Sequence, residues 1–171
     1  MLAIRVAAIS DSQSFLDAVQ EALATDPGID FVGSCMREGL RRLVQARKPD
    51  VLLVDGRIER PLSLCSRGER PRRPWIILIA QEAKDLADFG DLWKMAALAA
   101  GARGVLGRRS IAGQVVSAVR TVHGGGLFGP RAVVASVLDR RADPLPRDRR
   151  PQGPGAWRVA MLTGEALPAQ E

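Results

Sequence analysis

The sequence predicts an α/β fold with a five-stranded parallel sheet that is doubly wound, with helices on both faces. Short apolar runs alternate about five times with segments whose apolar residues recur at helical spacing. The run from Val51 to Val54 is apolar at every position, which is typical of a strand covered on both faces. Glycine, proline and aspartate separate the segments, as expected where a chain turns between elements.

Five segments are predicted to be strands because they are short, rich in branched apolar residues and bounded by turn residues. They are residues 4–9, 31–33, 51–55, 74–80 and 104–106. The third of these strands ends in Asp55, and functional sites of open parallel sheets lie just outside such strand ends. Asp55 is therefore a candidate for chemistry, although an aspartate at this place can also simply cap the next turn.

Helices are predicted where apolar residues stand three and four positions apart. They are residues 15–23, 38–46, 83–100, 111–122 and 130–140. The serines in Ser10-Asp11-Ser12 and at Ser110 can cap two of them. The stretch 57–73 interrupts the pattern because it is rich in arginine and poor in large apolar residues, so we expect at most a short helix there.

Length and composition limit the classes of protein that the chain can represent. With 171 residues, 46% of them hydrophobic, it can bury an ordinary core. Its net charge of +6 favours an acidic partner such as nucleic acid. An apolar run of about 18 residues and a signal-peptide pattern are both missing, so we expect no membrane span and a cytoplasmic location.

The sequence offers little to an enzyme, and we expect no catalytic residues. Cys35 and Cys65 have neither the spacing of a metal site nor that of a disulfide framework. Cys65 lies in the irregular stretch and could be redox-active, whereas Cys35 ends a strand as a small core residue. His123 is the only histidine and stands beside a run of glycines, where it can serve a helix end.

Four segments carry a family resemblance through their order and spacing. A strand leads into an acidic position, a strand ends in Asp55, a Gly-Ala turn opens a strand, and a glycine turn precedes a proline. The segments are residues 4–11, 49–58, 101–106 and 124–130. Together they resemble the receiver domain of response regulators, most of all those of the LuxR-type (NarL/FixJ) transcription regulators. The resemblance implies a flavodoxin/CheY-like receiver fold, here with an eroded third helix.

The resemblance implies phosphotransfer to an aspartate within a two-component system. Ser10, Asp11 and Asp55 occupy the positions of the acidic pocket, and Asp55 matches the phospho-acceptor. Asp11 and Asp55 match ligands of a magnesium ion, and Arg57 matches the position whose backbone carbonyl also holds that metal. Such a site combines a carboxylate nucleophile, a hard cation with oxygen ligands and a positive group for the phosphoryl oxygens.

Four positions depart from the pattern of the family. Ser10 stands in place of an acid, which removes one negative charge from the magnesium site. The switch positions hold Ala80 instead of a threonine or serine and Val105 instead of an aromatic residue. Arg108 stands where a lysine contacts the phosphate, and its planar fork is not equivalent to an ammonium group. We therefore expect an atypical receiver that works without phosphorylation, with at most a weak magnesium site and no other cofactor.

The preferred hypothesis is the regulatory receiver domain of a LuxR-type transcription regulator. It would control transcription through dimerisation and through DNA binding by a domain missing from this chain. Asp55 could instead be a conventional phospho-acceptor served by a sensor kinase, or the chain could be a stand-alone pseudo-receiver that binds a small ligand or protein partner. The helix over residues 111–122 has a broad apolar stripe, which predicts a homodimer unless the stripe is simply core.

The predicted domain organisation has four parts. Residues 1–123 form the receiver, 124–141 a helix after it, 142–156 a linker rich in proline and arginine, and 157–171 a tail. The tail could open a truncated helix-turn-helix domain, because Leu162-Thr163 resembles the start of one. The arginines of the linker could add salt-dependent affinity for DNA, or the linker could be a solvated spacer.

Overall fold

The computed structural model describes residues 3–65, 74–80 and 87–142. Within them lies a five-stranded sheet in the order β2-β1-β3-β4-β5, in which every neighbouring pair is parallel. The strands are β1 (Ile4–Ile9), β2 (Ile29–Cys35), β3 (Val51–Asp55), β4 (Trp75–Ala80) and β5 (Gly104–Gly107). The predicted α/β fold with a doubly wound parallel sheet is confirmed.

Helices follow the strands in the alternating order that the apolar pattern predicted. They are α1 (Gln13–Leu23), α2 (Leu40–Arg47), α3 (Ala87–Ala100), α4 (Ile111–His123) and α5 (Arg131–Ala142). None of the described helices combines the length and the apolar character needed to cross a membrane.

Two apolar clusters lie on opposite faces of the sheet, because successive side chains of a strand point to opposite sides. One cluster joins α1 and α4 to strand residues such as Val6 and Leu53. The other joins α3 and α5 to residues such as Ile9 and Val54. Because both faces are covered, all five residues of β3 are buried, as its continuous apolar run predicted.

The apolar stripe of α4 belongs to the first cluster. Its residues are buried in the described structure and are Ile111, Val115, Ala118, Val119 and Val122. The stripe is therefore core, which is the alternative interpretation noted above. It gives no separate support to the predicted homodimer.

Two elements differ in extent from the prediction. β2 is longer than the predicted residues 31–33. The register of β2 against β1 shifts between Val6 and Ala7, where Ala7 pairs with Gly33. The φ of Gly33 is 134°, a backbone conformation that favours glycine. The helix predicted over 38–46 is divided into a 3-10 turn, Arg37–Gly39, and α2. Gly39 stands at this division, in keeping with the low helix propensity of glycine.

The predicted side-chain caps are wrong. Neither Ser12 nor Ser110 bonds a backbone amide of the helix that it precedes through its hydroxyl. The Ser12 hydroxyl lies 3.0 Å from the Ser14 hydroxyl instead. Ser110 belongs to a 3-10 turn, Arg108–Ser110, that runs directly into α4, so its backbone is not in the extended conformation that a cap requires.

Between β3 and β4 the described residues contain only one short helical element, the 3-10 turn Pro61–Leu64. This agrees with the prediction of at most a short helix. Ile58 and Cys65 are buried on either side of the turn, and Arg37 donates to the Glu59 carbonyl oxygen at 2.6 Å. Residues 66–73 and 81–86 lie outside the described residues, including the first part of the helix predicted over 83–100.

The compact unit that contains the sheet extends from Met1 to Val137. Val133 and Val137 of α5 are buried, so the part of this helix up to Val137 packs in the core. A second unit comprises Leu138–Glu171. The predicted linker after Ala142 and the tail at 157–171 lie outside the described residues, so these assignments stay predictions.

Candidate functional site

The carboxyl ends of β1 and β3 bring the first two site residues together. Ile9 and Val54 are register partners, so Ser10 and Asp55 follow them side by side at this edge of the sheet. Each is only 2% exposed, and within the described part of the chain they are the buried residues with a polar or charged side chain. A buried carboxylate requires hydrogen-bond donors or a positive charge nearby.

Both oxygens of the Asp55 carboxylate receive donors from the protein itself. The Ser10 hydroxyl donates to Oδ2 at 2.7 Å, and the backbone amide of Arg57 donates to Oδ1 at 3.0 Å. Nη1 of Arg108 lies 3.6 Å from Oδ2. The Ser10 hydroxyl oxygen in turn accepts from the backbone amide of Ser12 at 3.0 Å. Each oxygen of the carboxylate thus accepts one hydrogen bond from the protein itself.

Arg108 comes from the 3-10 turn after β5, and its side chain extends across the site. Besides its contact with Asp55, its Nη2 lies 3.4 Å from the hydroxyl oxygens of Ser12 and Ser14. Its guanidinium carbon lies 5.3 Å from the centroid of the Phe15 ring, within cation-π range. The side chain is 27% exposed. The positive charge is therefore held between a carboxylate, two hydroxyls and an aromatic face.

The two carboxylates predicted to bind magnesium differ in exposure, since Asp55 is buried. Asp11 is exposed, and its carboxylate has no hydrogen-bond or ion-pair partner among the described residues. The described residues contain no group of three or more acids, histidines and cysteines that could hold a metal ion. The backbone amide of Arg57 donates to Asp55. Because the Arg108 guanidinium also lies at Asp55 Oδ2, these residues fit a divalent cation poorly.

The two predicted switch positions lie in the sheet beside the site. Ala80 ends β4 and is 6% exposed, and Val105 of β5 pairs with Leu78 and is fully buried. A methyl group at position 80 cannot donate a hydrogen bond to a phosphoryl oxygen. Their roles as switch positions stay predictions.

Gly56, directly after Asp55, is required by a close approach. Its amide donates to the Ile79 carbonyl oxygen at 2.8 Å, which ties the turn to β4. A Cβ atom at this position would lie 2.8 Å from that oxygen and 3.1 Å from the Trp93 ring. The turn after Asp55 is therefore packed between β4 and α3, with no room for a side chain.

The surroundings of Cys65 and His123 do not suggest reactive groups. Burial raises the pKa of the Cys65 thiol to about 12, and only the thiolate is strongly nucleophilic. Burial and the nearby Glu38 also raise the pKa of Cys35. His123 is exposed at the end of α4. The hypothesis of a redox-active Cys65 therefore finds no support in the environment of its sulfur.

Reasoning from the sequence missed three residues of the site. Ser12 was interpreted only as a helix cap, residue 15 only as part of an apolar helix face, and Ser14 was not singled out. Their closeness in sequence to Ser10 could have indicated that they line the site, since the turn after a strand brings the next residues back over the end of that strand. Nothing in the sequence near Arg108 indicated that its side chain would reach them.

Comparison with solved structures places the fold among response-regulator receiver domains. The isolated receiver domain of RcsB from Salmonella enterica serovar Typhimurium is 17% identical, with a TM-score of 0.63 over 80% of this chain and 98% of that one. A LuxR-family two-component response regulator from Aurantimonas is 18% identical, with a TM-score of 0.62 over 82% and 99%. A Salmonella typhimurium RcsB structure described for DNA interaction is 16% identical, with a TM-score of 0.57 over 98% and 79%.

The fold is thus that of a receiver domain, as found in LuxR-type response regulators, and the predicted resemblance is confirmed at the level of fold. No protein-family model matches the sequence. The curated proteins contain no match either.

Proposed function

We propose that this chain is the regulatory receiver domain of a LuxR-type transcription regulator and that it works without phosphorylation of Asp55. It acts by binding and not by catalysis, in the cytoplasm, and it influences transcription through dimerisation and a DNA-binding domain elsewhere in the full protein. The fold shared with LuxR-type response regulators supports the class. The RcsB structure described for DNA interaction supports a role in transcription.

The observation that carries the proposal is the set of donors around Asp55. The Ser10 hydroxyl donates to one oxygen and the Arg57 amide to the other, and the Arg108 guanidinium lies 3.6 Å from the first. A phospho-acceptor needs a free oxygen to attack phosphorus and a cation that neutralises the incoming group. Here the Arg108 guanidinium lies 3.6 Å from the carboxylate itself, and the Ser10 hydroxyl stands in place of an acid.

Incubation of the chain with acetyl phosphate and magnesium tests this proposal. We expect no slower band on a phosphate-affinity gel, because Asp55 is buried and held by its neighbours. Asp55→Asn and Asp17→Asn are the matched variants, since Asp17 is an exposed acid on α1. A conventional receiver serves as the positive control. A shifted band that Asp55→Asn abolishes and Asp17→Asn retains would instead establish a conventional phospho-acceptor.

The outer face of α4 is the surface that we propose for dimerisation. Its exposed residues over the first two turns are small or uncharged, namely Ala112, Gly113, Gln114 and Ser117. Arg120 on the next turn is paired with Asp26 at 2.7 Å, so its charge is compensated. Such a surface can approach a second copy without burying an unpaired charge.

Sedimentation velocity over a range of protein concentrations tests the dimer. We expect a concentration-dependent dimer that Ser117→Arg weakens by about tenfold or more, because the substitution places a charge in the interface. Ala46→Arg, on the exposed side of α2, should leave the equilibrium unchanged. A monomer at high concentration, or equal effects of the two variants, would contradict the proposed surface.

A further inference from the structure

The chain returns to the edge of the sheet after α4. The amide of Val105 donates to the Phe128 carbonyl oxygen at 2.8 Å, and the amide of Phe128 donates to the Arg103 carbonyl oxygen at 2.9 Å. Gly104 and Phe128 form a parallel bridge. Residues 127–137, here called the strap, thus begin as a short extension of the sheet beside β5 and continue into α5.

The strap packs most closely at Val105. A Cβ atom built on Gly129 would lie 2.8 Å from Cγ2 of Val105, but 3.5 Å from Cγ2 of Val134, which is an ordinary contact. The φ of Gly129 is outside the left-handed region, so space and not backbone conformation requires glycine here. Val133 and Val137 are buried in the same apolar cluster as Val105.

We propose that Val105 is the docking residue of the strap and that the edge of β5 is an interaction surface occupied by this segment of the chain itself. The strap uses the amide of Val105 and the carbonyl of Arg103, groups that an open edge strand offers to a partner strand. A partner copy therefore has to bind elsewhere on the domain. This inference rests on the fold and does not depend on whether Asp55 is phosphorylated.

The size of the residue at position 105 then determines whether the strap can pack against β5. A valine leaves room for the backbone of Gly129, whereas any group reaching further than Cγ2 in that direction would displace it. Val105 stands where receiver domains have an aromatic residue. In this chain it is in direct contact with the strap.

A double-mutant cycle between positions 105 and 129 tests the proposal through amide hydrogen exchange measured by NMR. In Gly129→Ala, we expect the amides of Val105 and Phe128 to exchange about tenfold faster, because the new methyl overpacks Val105 and opens the strap. In the double variant with Val105→Ala, the Cγ2 atom is absent. Exchange at Phe128 should then return to the rate of the Val105→Ala single variant.

The matched control is Gly124→Ala, since a Cβ atom at Gly124 would make only ordinary contacts, 3.4 Å from the Arg120 carbonyl oxygen and 3.5 Å from that of Thr121. It should leave exchange at both positions unchanged, and the amide of Leu53 in β3 reports global unfolding in every variant. If Gly129→Ala lowers the soluble yield, recovery of that yield in the double variant measures the same coupling. Unchanged exchange in Gly129→Ala, or a double variant as open as Gly129→Ala, would overturn the proposal.

Discussion

Replacing Phe15 with alanine is expected to lower the free energy of unfolding by about 3 to 5 kcal/mol. Phe15 is fully buried between α1, α4 and the sheet, so the variant loses apolar burial and leaves a cavity. It also loses the ring that lies 5.3 Å from the Arg108 guanidinium. Urea denaturation followed by circular dichroism measures the change.

Two further variants separate the contributions of Phe15. Leu16→Ala, at a half-buried position of the same helix, should cost clearly less. Phe15→Leu keeps most of the apolar volume but removes the aromatic face, so the additional loss caused by Arg108→Ala should be smaller in this background than in the native one. A Phe15→Ala variant no less stable than Leu16→Ala would show that the ring is not an anchor of the core.

Replacing Ser10 with alanine is expected to cost about 2 to 4 kcal/mol, although only one oxygen atom is removed. The Asp55 carboxylate loses its shortest hydrogen bond, and the amide of Ser12 loses its acceptor. Ser10 and Asp55 are each 2% exposed. Water therefore reaches the Asp55 carboxylate and the Ser12 amide poorly and does not replace the lost hydroxyl.

Thermal and urea unfolding of Ser10→Ala should be compared with those of Ser117→Ala, an exposed serine on α4. The control should change the free energy of unfolding by less than about 0.5 kcal/mol. If Ser10→Ala changed the free energy of unfolding as little as the control, the hydrogen bond to Asp55 would contribute little to stability. The donors around Asp55 would then no longer support a receiver that works without phosphorylation.

The charges and hydrogen bonds of the site are arranged around Asp55. The Ser10 hydroxyl, which stands in place of an acid, donates to the Asp55 carboxylate. The negative charge of Asp55 is balanced by Arg108, from the turn that follows β5. The Asp55 carboxylate is buried, so removal of a group that donates to it or balances its charge is destabilising. This explains why we expect the residues of the site to matter for stability even if no phosphoryl group ever reaches Asp55.

Much of the fold could be predicted from local patterns. The continuous apolar run of β3 and the helical spacing in α1 and α4 depend on residues that are close in sequence, and the structure confirms these elements. The second helix and the serine caps were predicted less well, because glycine propensity and competing hydroxyl contacts decide them within one or two residues.

The sequence by itself determined the class of fold, the location of Asp55 at a strand end and the absence of an acid, a hydroxyl and an aromatic residue at positions 10, 80 and 105. Only the tertiary structure decided what these positions contact. Ser10 and Asp55 are 45 residues apart, and Arg108 reaches Ser12 across 96. Strand order and register determine such contacts, and they also determine how Gly129 packs against Val105. The physical reason is that side-chain packing between distant segments depends on the geometry of the whole sheet, which no local pattern of residues encodes.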